Sequence, residues 1–266
     1  MQDNMNFLIN DSDNFIDHLI DEFTKKAKQK LKEYDSVIPS RLKKKITINW
    51  ATDLCHCIGQ WTRYASQDAA IRRDELIDHV EGYITKRVGS TALTETSWSI
   101  DKNNIMHIKH IRVIIKIDAL RAFIVNNLQM LPIVVDDFIN VTSCHEIGHV
   151  IDHIQTIEGK NYDEYHEKIE KPDDEALDNY YKWKKEFYKT VGDYDFEGMR
   201  LMSQKYYQCP SEARADILGG VDRNAMLDRW FNEDTFKRGY VEVRSLSKKE
   251  FNKLMTEYKE IRKGDN

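Results

Sequence analysis

Two histidines and a glutamate stand in the run Val141-Thr-Ser-Cys-His145-Glu146-Ile-Gly-His149-Val-Ile-Asp152-His153, at a spacing that chemistry can use. On an α-helix each residue turns about 100° and rises about 1.5 Å, so His149 lies about 40° around from His145 and one turn along. Two imidazoles so placed can converge on one metal ion. Glu146 projects about 60° from His149, beside such an ion rather than behind it. There a carboxylate can take a proton from a polarised water without itself becoming a ligand. Metal-assisted hydrolysis is the chemistry this spacing predicts.

The geometry demands a helix, and the flanking residues supply one. Between Val134 and Gln155 there is no proline, and the only glycine is Gly148. Val134, Phe138 and Val141 extend the histidine face, while Ile147, Val150, Ile151 and Ile154 make the other sides apolar. A helix that is hydrophobic nearly all round sits at the centre of its domain. Buried imidazoles and a buried carboxylate must then be partnered, and a metal is the simplest partner.

Tetrahedral binding with one open position needs a third ligand. His153 is eight residues from His145, about 12 Å along the axis, and too far away. Downstream, Pro210-Ser-Glu212-Ala-Arg-Ala-Asp216-Ile-Leu puts Glu212 and Asp216 on one helical face, with small Ala213 and Ala215 permitting close packing on a second helix. H-E-x-x-H together with E-x-x-A-D resembles the gluzincin branch of the zincin metallopeptidases. That resemblance implies one zinc ion held by His145, His149 and Glu212, with Glu146 as general base. It also implies that Asp216 orients His145 from behind through a hydrogen bond. Asp152 is a further carboxylate expected behind the ligands, and Tyr206, Tyr207 and Arg214 are candidate donors to an oxyanion. The metzincin pattern is not met, because Gln155 stands where its third histidine would be.

A second resemblance, carried by Ile46-Thr-Ile-Asn-Trp50, Gly59, a later strand and H-E-x-x-H, is to the SprT-type metalloproteases. These use a histidine beyond the motif, and some cleave proteins crosslinked to DNA. By that resemblance the third ligand is His166, so the choice lies between Glu212 and His166.

Stepping outward, Phe15, Leu19, Phe23, Ala27 and Leu31 predict an amphipathic helix over 14–34. A basic run at 41–45 precedes a strand at 46–50, and 70–87 reads as helix. The stretch 89–99 reads as a polar Gly-Ser-Thr segment. A strand is expected over 105–117, and as a free edge it could pair with an extended substrate. Another helix is expected over 118–131. Beyond Glu158 the pattern is helical, with Trp183, Phe187, Tyr188, Phe196 and Met199 spaced for burial and a closing helix at 251–261. Strands early and helices late predict an α+β fold. By the zincin resemblance, a small mixed sheet packs on the central motif helix. The expected divisions are a helical segment 1–40, a sheet and active-site helix over 41–157, and a helical part 158–266 supplying the third ligand.

A chain of 266 residues, 41% of them hydrophobic, can bury a sizeable core. Its formal net charge of −5 argues against a protein that coats nucleic acid through excess Lys and Arg. Four cysteines are too few for a disulfide scaffold, although Cys55-His56-Cys57 could bind metal. The first residues lack a basic, apolar leader, and 111–135 is broken by Arg112, Lys116, Asp118 and Arg121, so neither a secretory signal nor a membrane span is expected. The expectation is a cytoplasmic zinc peptidase acting on a protein or peptide. A DNA-associated SprT-like protease and a non-catalytic zinc-binding or interaction protein are the alternatives, and Glu146 argues against the last because a structural site needs no base.

Overall fold

The computed structural model describes residues 19–51, 92–116, 132–191 and 196–230. The helices expected at 70–87, 118–131 and 251–261, and Cys55-His56-Cys57, lie outside the described residues. The architecture is α+β, a small mixed sheet with mostly helical surroundings.

The sheet has three strands, β1 (Ile46–Ala51), β2 (Ala92–Ile100) and β3 (Met106–Lys116), in the order β1-β3-β2. β1 runs parallel to β3, and β2 pairs with it antiparallel. Along β3 the buried positions change phase, from Met106 and Ile108 to Ile111, Val113 and Ile115. A bulge accounts for this. Ser97 pairs with His110 but Trp98 with Ile108, so Lys109 is left over and both apolar sets face the same side.

Two expectations are corrected here. The stretch 89–99 is largely strand, because its threonines suit a half-buried pleated surface even without apolar alternation. The strand expected as a substrate-pairing edge is the middle of the sheet, with β1 on one side and β2 on the other. The β2–β3 turn is closed by Asp101, whose Oδ1 accepts the N–H groups of Asn103 (2.8 Å) and Ile105 (3.0 Å), with Asn104 at φ 63°.

The helices are α1 (19–33), α2 (Ser40–Lys43), α3 (Pro132–Ile157), α4 (Tyr162–Tyr165), α5 (Lys171–Val191), α6 (Phe196–Tyr206), α7 (Pro210–Gly219) and α8 (Arg223–Trp230). A π-helical turn, His166–Glu170, joins α4 to α5. The motif helix α3 packs on the sheet. Ile147, Val150, Ile151 and Ile154 share one buried cluster with Ile108, Ile111, Val113 and Ile115, and with Leu19, Phe23 and Ala27 of α1. Each such side chain contributes about 1.5–3 kcal/mol through burial, so this contact anchors the motif.

The basic run after α1 is engaged by protein: Arg41 pairs with Glu158, Lys43 lies 2.6 Å from Asp35, and Lys45 donates to the Ile108 carbonyl at 3.3 Å. Among the described residues no helix is long and apolar enough to cross a membrane.

Candidate metal centre

Helix α7 is bounded by its own sequence. Pro210 occupies the first turn, where a missing N–H costs nothing. Gly220 ends it at φ 69°, while the Val221 N–H reaches back to the Asp216 carbonyl at 2.8 Å. The helix lies almost backbone to backbone against α3. A Cβ added to Gly148 would meet the Ala215 carbonyl oxygen at 1.9 Å, and one on Gly219 would meet that of Cys144 at 2.5 Å. The glycine inside the motif is therefore a steric requirement. It lets α7 approach closely enough for Glu212 to reach the histidines.

There the side chains converge. His145 Nε2 is 3.1 Å from Glu212 Oε2 and 3.2 Å from His149 Nε2, and His149 Nε2 is 3.7 Å from Glu212 Oε2. These three atoms form the group, among the described residues, that could hold a metal ion. Two tests of fit are met. First, two imidazole nitrogens and a carboxylate oxygen are a donor set that zinc accepts. Second, bonds of 2.0–2.1 Å in a tetrahedron set adjacent ligand atoms about 3.3 Å apart, close to the separations here.

His145 is oriented from behind, as its Nδ1 lies 2.7 Å from Asp216 Oδ1. With the Nδ1 hydrogen given to this carboxylate, Nε2 turns its lone pair into the cluster. Burial works against charge on His145, but the hydrogen bonds to Asp216 and Glu212 prevail and raise its pKa to about 9. Burial would likewise raise Glu212, yet the hydrogen bond with His145 and the closeness of His149 hold it far below the usual carboxylate range. Asp216 is also lowered: burial opposes ionisation there, while His145 and Arg223 favour it. The cluster thus gathers the Glu212 and Asp216 carboxylates around the His145 imidazole.

Glu146 is buried but belongs to a different contact. Thr94 Oγ1 on β2 is 2.7 Å from its Oε2 and 3.1 Å from its backbone carbonyl. Thr96, on the same face of the strand, is 2.7 Å from His153 Nδ1.

The remaining candidates are dispersed. Asp152 receives Arg214 on both oxygens (2.8 and 3.1 Å), and Arg214 also forks onto Asp173 (3.1 and 2.6 Å). Asp152 is thus turned to Arg214 instead of standing behind a ligand histidine, and Arg214 is held by two carboxylates, not poised for an oxyanion. Tyr206 is pushed strongly up in pKa, first by burial and then by the nearby Glu212 carboxylate. Tyr207 packs its ring edge-on to His145 at 5.6 Å, and burial pushes its pKa up to about 12. His166 lies on the π-helical turn, 2.8 Å from Glu170 and stacked on Tyr162, outside the metal-capable group.

Sequence reasoning missed Thr94 and Arg223. Thr94 lay in a stretch read as a polar segment. Arg223, which binds Asp216, carried no signal beyond following the Gly219-Gly220 turn that brings the chain back to the site.

Set against family models, curated proteins and solved structures, the chain matches none. Fold and site together define an α+β chain in which two touching helices assemble a partly buried group that could hold a metal ion.

Proposed function

We propose that the protein is a zinc-dependent metallopeptidase of gluzincin type, which hydrolyses peptide bonds with Glu146 as general base. One observation carries this reading: His145, His149 and Glu212 converge through three ligand atoms while Glu146, buried beside them, is held apart by Thr94. Zinc bound there would supply Lewis acidity, which polarises a carbonyl and makes water acidic near neutral pH.

The chain's own residues do the rest. Asp216 fixes the His145 ring through Nδ1. Thr94 holds Glu146 Oε2, so we assign proton transfer to Oε1, which takes the proton of the attacking water and returns it to the leaving amine. Among the described strands β2 is an edge, and it carries Thr94 beside the base, so an extended substrate can add along it. The engagement of Arg41, Lys43 and Lys45 within the fold favours this plain peptidase over a DNA-associated one.

The test is metal analysis joined to catalysis. The purified chain is expected to carry about one zinc. Glu146→Gln should keep that zinc and lose activity on an unfolded protein substrate by about 10²–10⁴-fold. A chain that takes up no zinc on reconstitution, or a Glu146→Gln variant as active as the parent, sinks the proposal.

A further inference from the structure

We infer that Arg223 is a positioning residue for the metal centre, acting through Asp216 on the orientation of His145. The inference rests on the metal site of the preceding section and deepens it.

Arg223 is the first residue of α8 and its side chain is largely covered. Its Nε lies 2.9 Å from Asp216 Oδ2 and Nη2 lies 2.6 Å from Oδ1. This is the two-pronged pairing that fixes a carboxylate in one plane, which a single contact does not. Oδ1 is the same oxygen that takes the Nδ1 hydrogen of His145. Were the Asp216 carboxylate free to rotate, that hydrogen bond would hold the imidazole less firmly.

The guanidinium is itself braced. It lies on the Tyr207 ring, 3.5 Å from the centroid, and its Nη1 contacts Met226 Sδ at 3.2 Å. Tyr207 in turn meets His145 edge-on, with interplanar angle 90°. His145 is therefore braced by one arginine at its Nδ1 edge through Asp216, against its ring through Tyr207, and by Nη2 itself, which lies 3.2 Å from Nδ1. Lysine can replace the charge but not the fork.

The test is titration of metal-free full-length protein with Co²⁺, followed by its visible absorption, with Zn²⁺ competition giving affinity. Partners placed behind a metal ligand typically tune affinity by about 10–100-fold. Arg223→Met is expected to weaken binding within that range and to alter the Co²⁺ spectrum. Arg223→Lys should recover only part of the loss. Because the arginine works chiefly through the carboxylate, Arg223→Met added to Asp216→Asn should weaken binding by clearly less than the two single losses combined.

Far-ultraviolet circular dichroism of each metal-free variant checks that it is folded. Should Arg223→Met not fold, Arg223→Lys is compared with and without Asp216→Asn in the same way. Unchanged affinity and spectrum in the folded arginine variants, or a loss that adds fully to that of Asp216→Asn, overturns the inference while leaving the metal site standing. A wild-type chain that binds neither ion overturns both.

Discussion

Glu146 has a carboxylate oxygen accepting a hydrogen bond from Thr94, a side chain that offers one hydrogen and no competing charge. Thr94→Val preserves the shape and removes the donor. With the proposed base no longer held, kcat is expected to drop about tenfold while KM and zinc content stay level, the loss of an interaction that matters in the transition state. Thr94→Ser should restore most of it. Steady-state kinetics with metal analysis decide the matter, and a valine variant with full kcat removes Thr94 from the mechanism. His153 offers a test of another kind. Burial, then the charges of His149 and Arg214, press its pKa from 6.5 down to about 3, so the folded chain keeps the ring neutral. The unfolded chain protonates it near 6.5, so this group withdraws stability as pH falls below about 6.5 and goes on doing so towards about 3. Between pH 7.5 and 5, wild type is expected to lose more unfolding free energy than His153→Asn, and equal losses in urea melts would contradict it. At this scale the sequence was legible wherever helical period alone decides. His145 meets His149 because they are four residues apart, whereas Thr94 and Arg223 reach the site only through tertiary folding.

Helix α3 and helix α7 are brought together at two glycines, and this contact decides whether Glu212, the proposed third ligand, reaches the histidines. On propensity alone, Gly148→Ala should favour α3 by about 1 kcal/mol. The added methyl would instead stand 1.9 Å from a backbone oxygen of α7, an obstacle that cannot rotate away. The steric effect wins. Gly148→Ala is expected to lower stability by about 1–3 kcal/mol through overpacking and to abolish tight zinc binding by displacing Glu212. Thermal melts and zinc titration test this, and an alanine variant that binds zinc normally would refute the close-packing argument. Elements carried by periodicity, such as β1, β3 and α3, were readable in advance. Strand β2 was not, because Thr94, Thr96 and Ser97 become strand residues only when paired with β3. The position of β3 within the sheet was hidden too, since period-2 alternation says which side is buried and nothing about neighbours.

At the scale of the described chain, α1, the sheet and α3 share the larger of two apolar clusters, and Tyr34, just after α1, is tied to α7 by its hydroxyl donating to the Leu218 carbonyl. The order of strands before helices made the α+β class readable, whereas the parallel pairing of β1 with β3 had no local signature. The proposed ligands come from two helices, with His145 and His149 on α3 and Glu212 on α7, so a bound ion would act as a cross-link between them. The unfolded chain holds no such arrangement, and ligands that bind only the native state stabilise it by about 4 kcal/mol at a thousandfold excess over Kd. Zinc added to the metal-free protein is therefore expected to raise its melting temperature in a concentration-dependent way, and a chelator to reverse the shift. The same titration on His149→Ala, which keeps α3 and its core contacts but removes one donor, should give a much smaller rise. Differential scanning fluorimetry reads all three. Equal stabilisation of both chains would place the binding site elsewhere, because an ion held by His145, His149 and Glu212 cannot be indifferent to losing one of them.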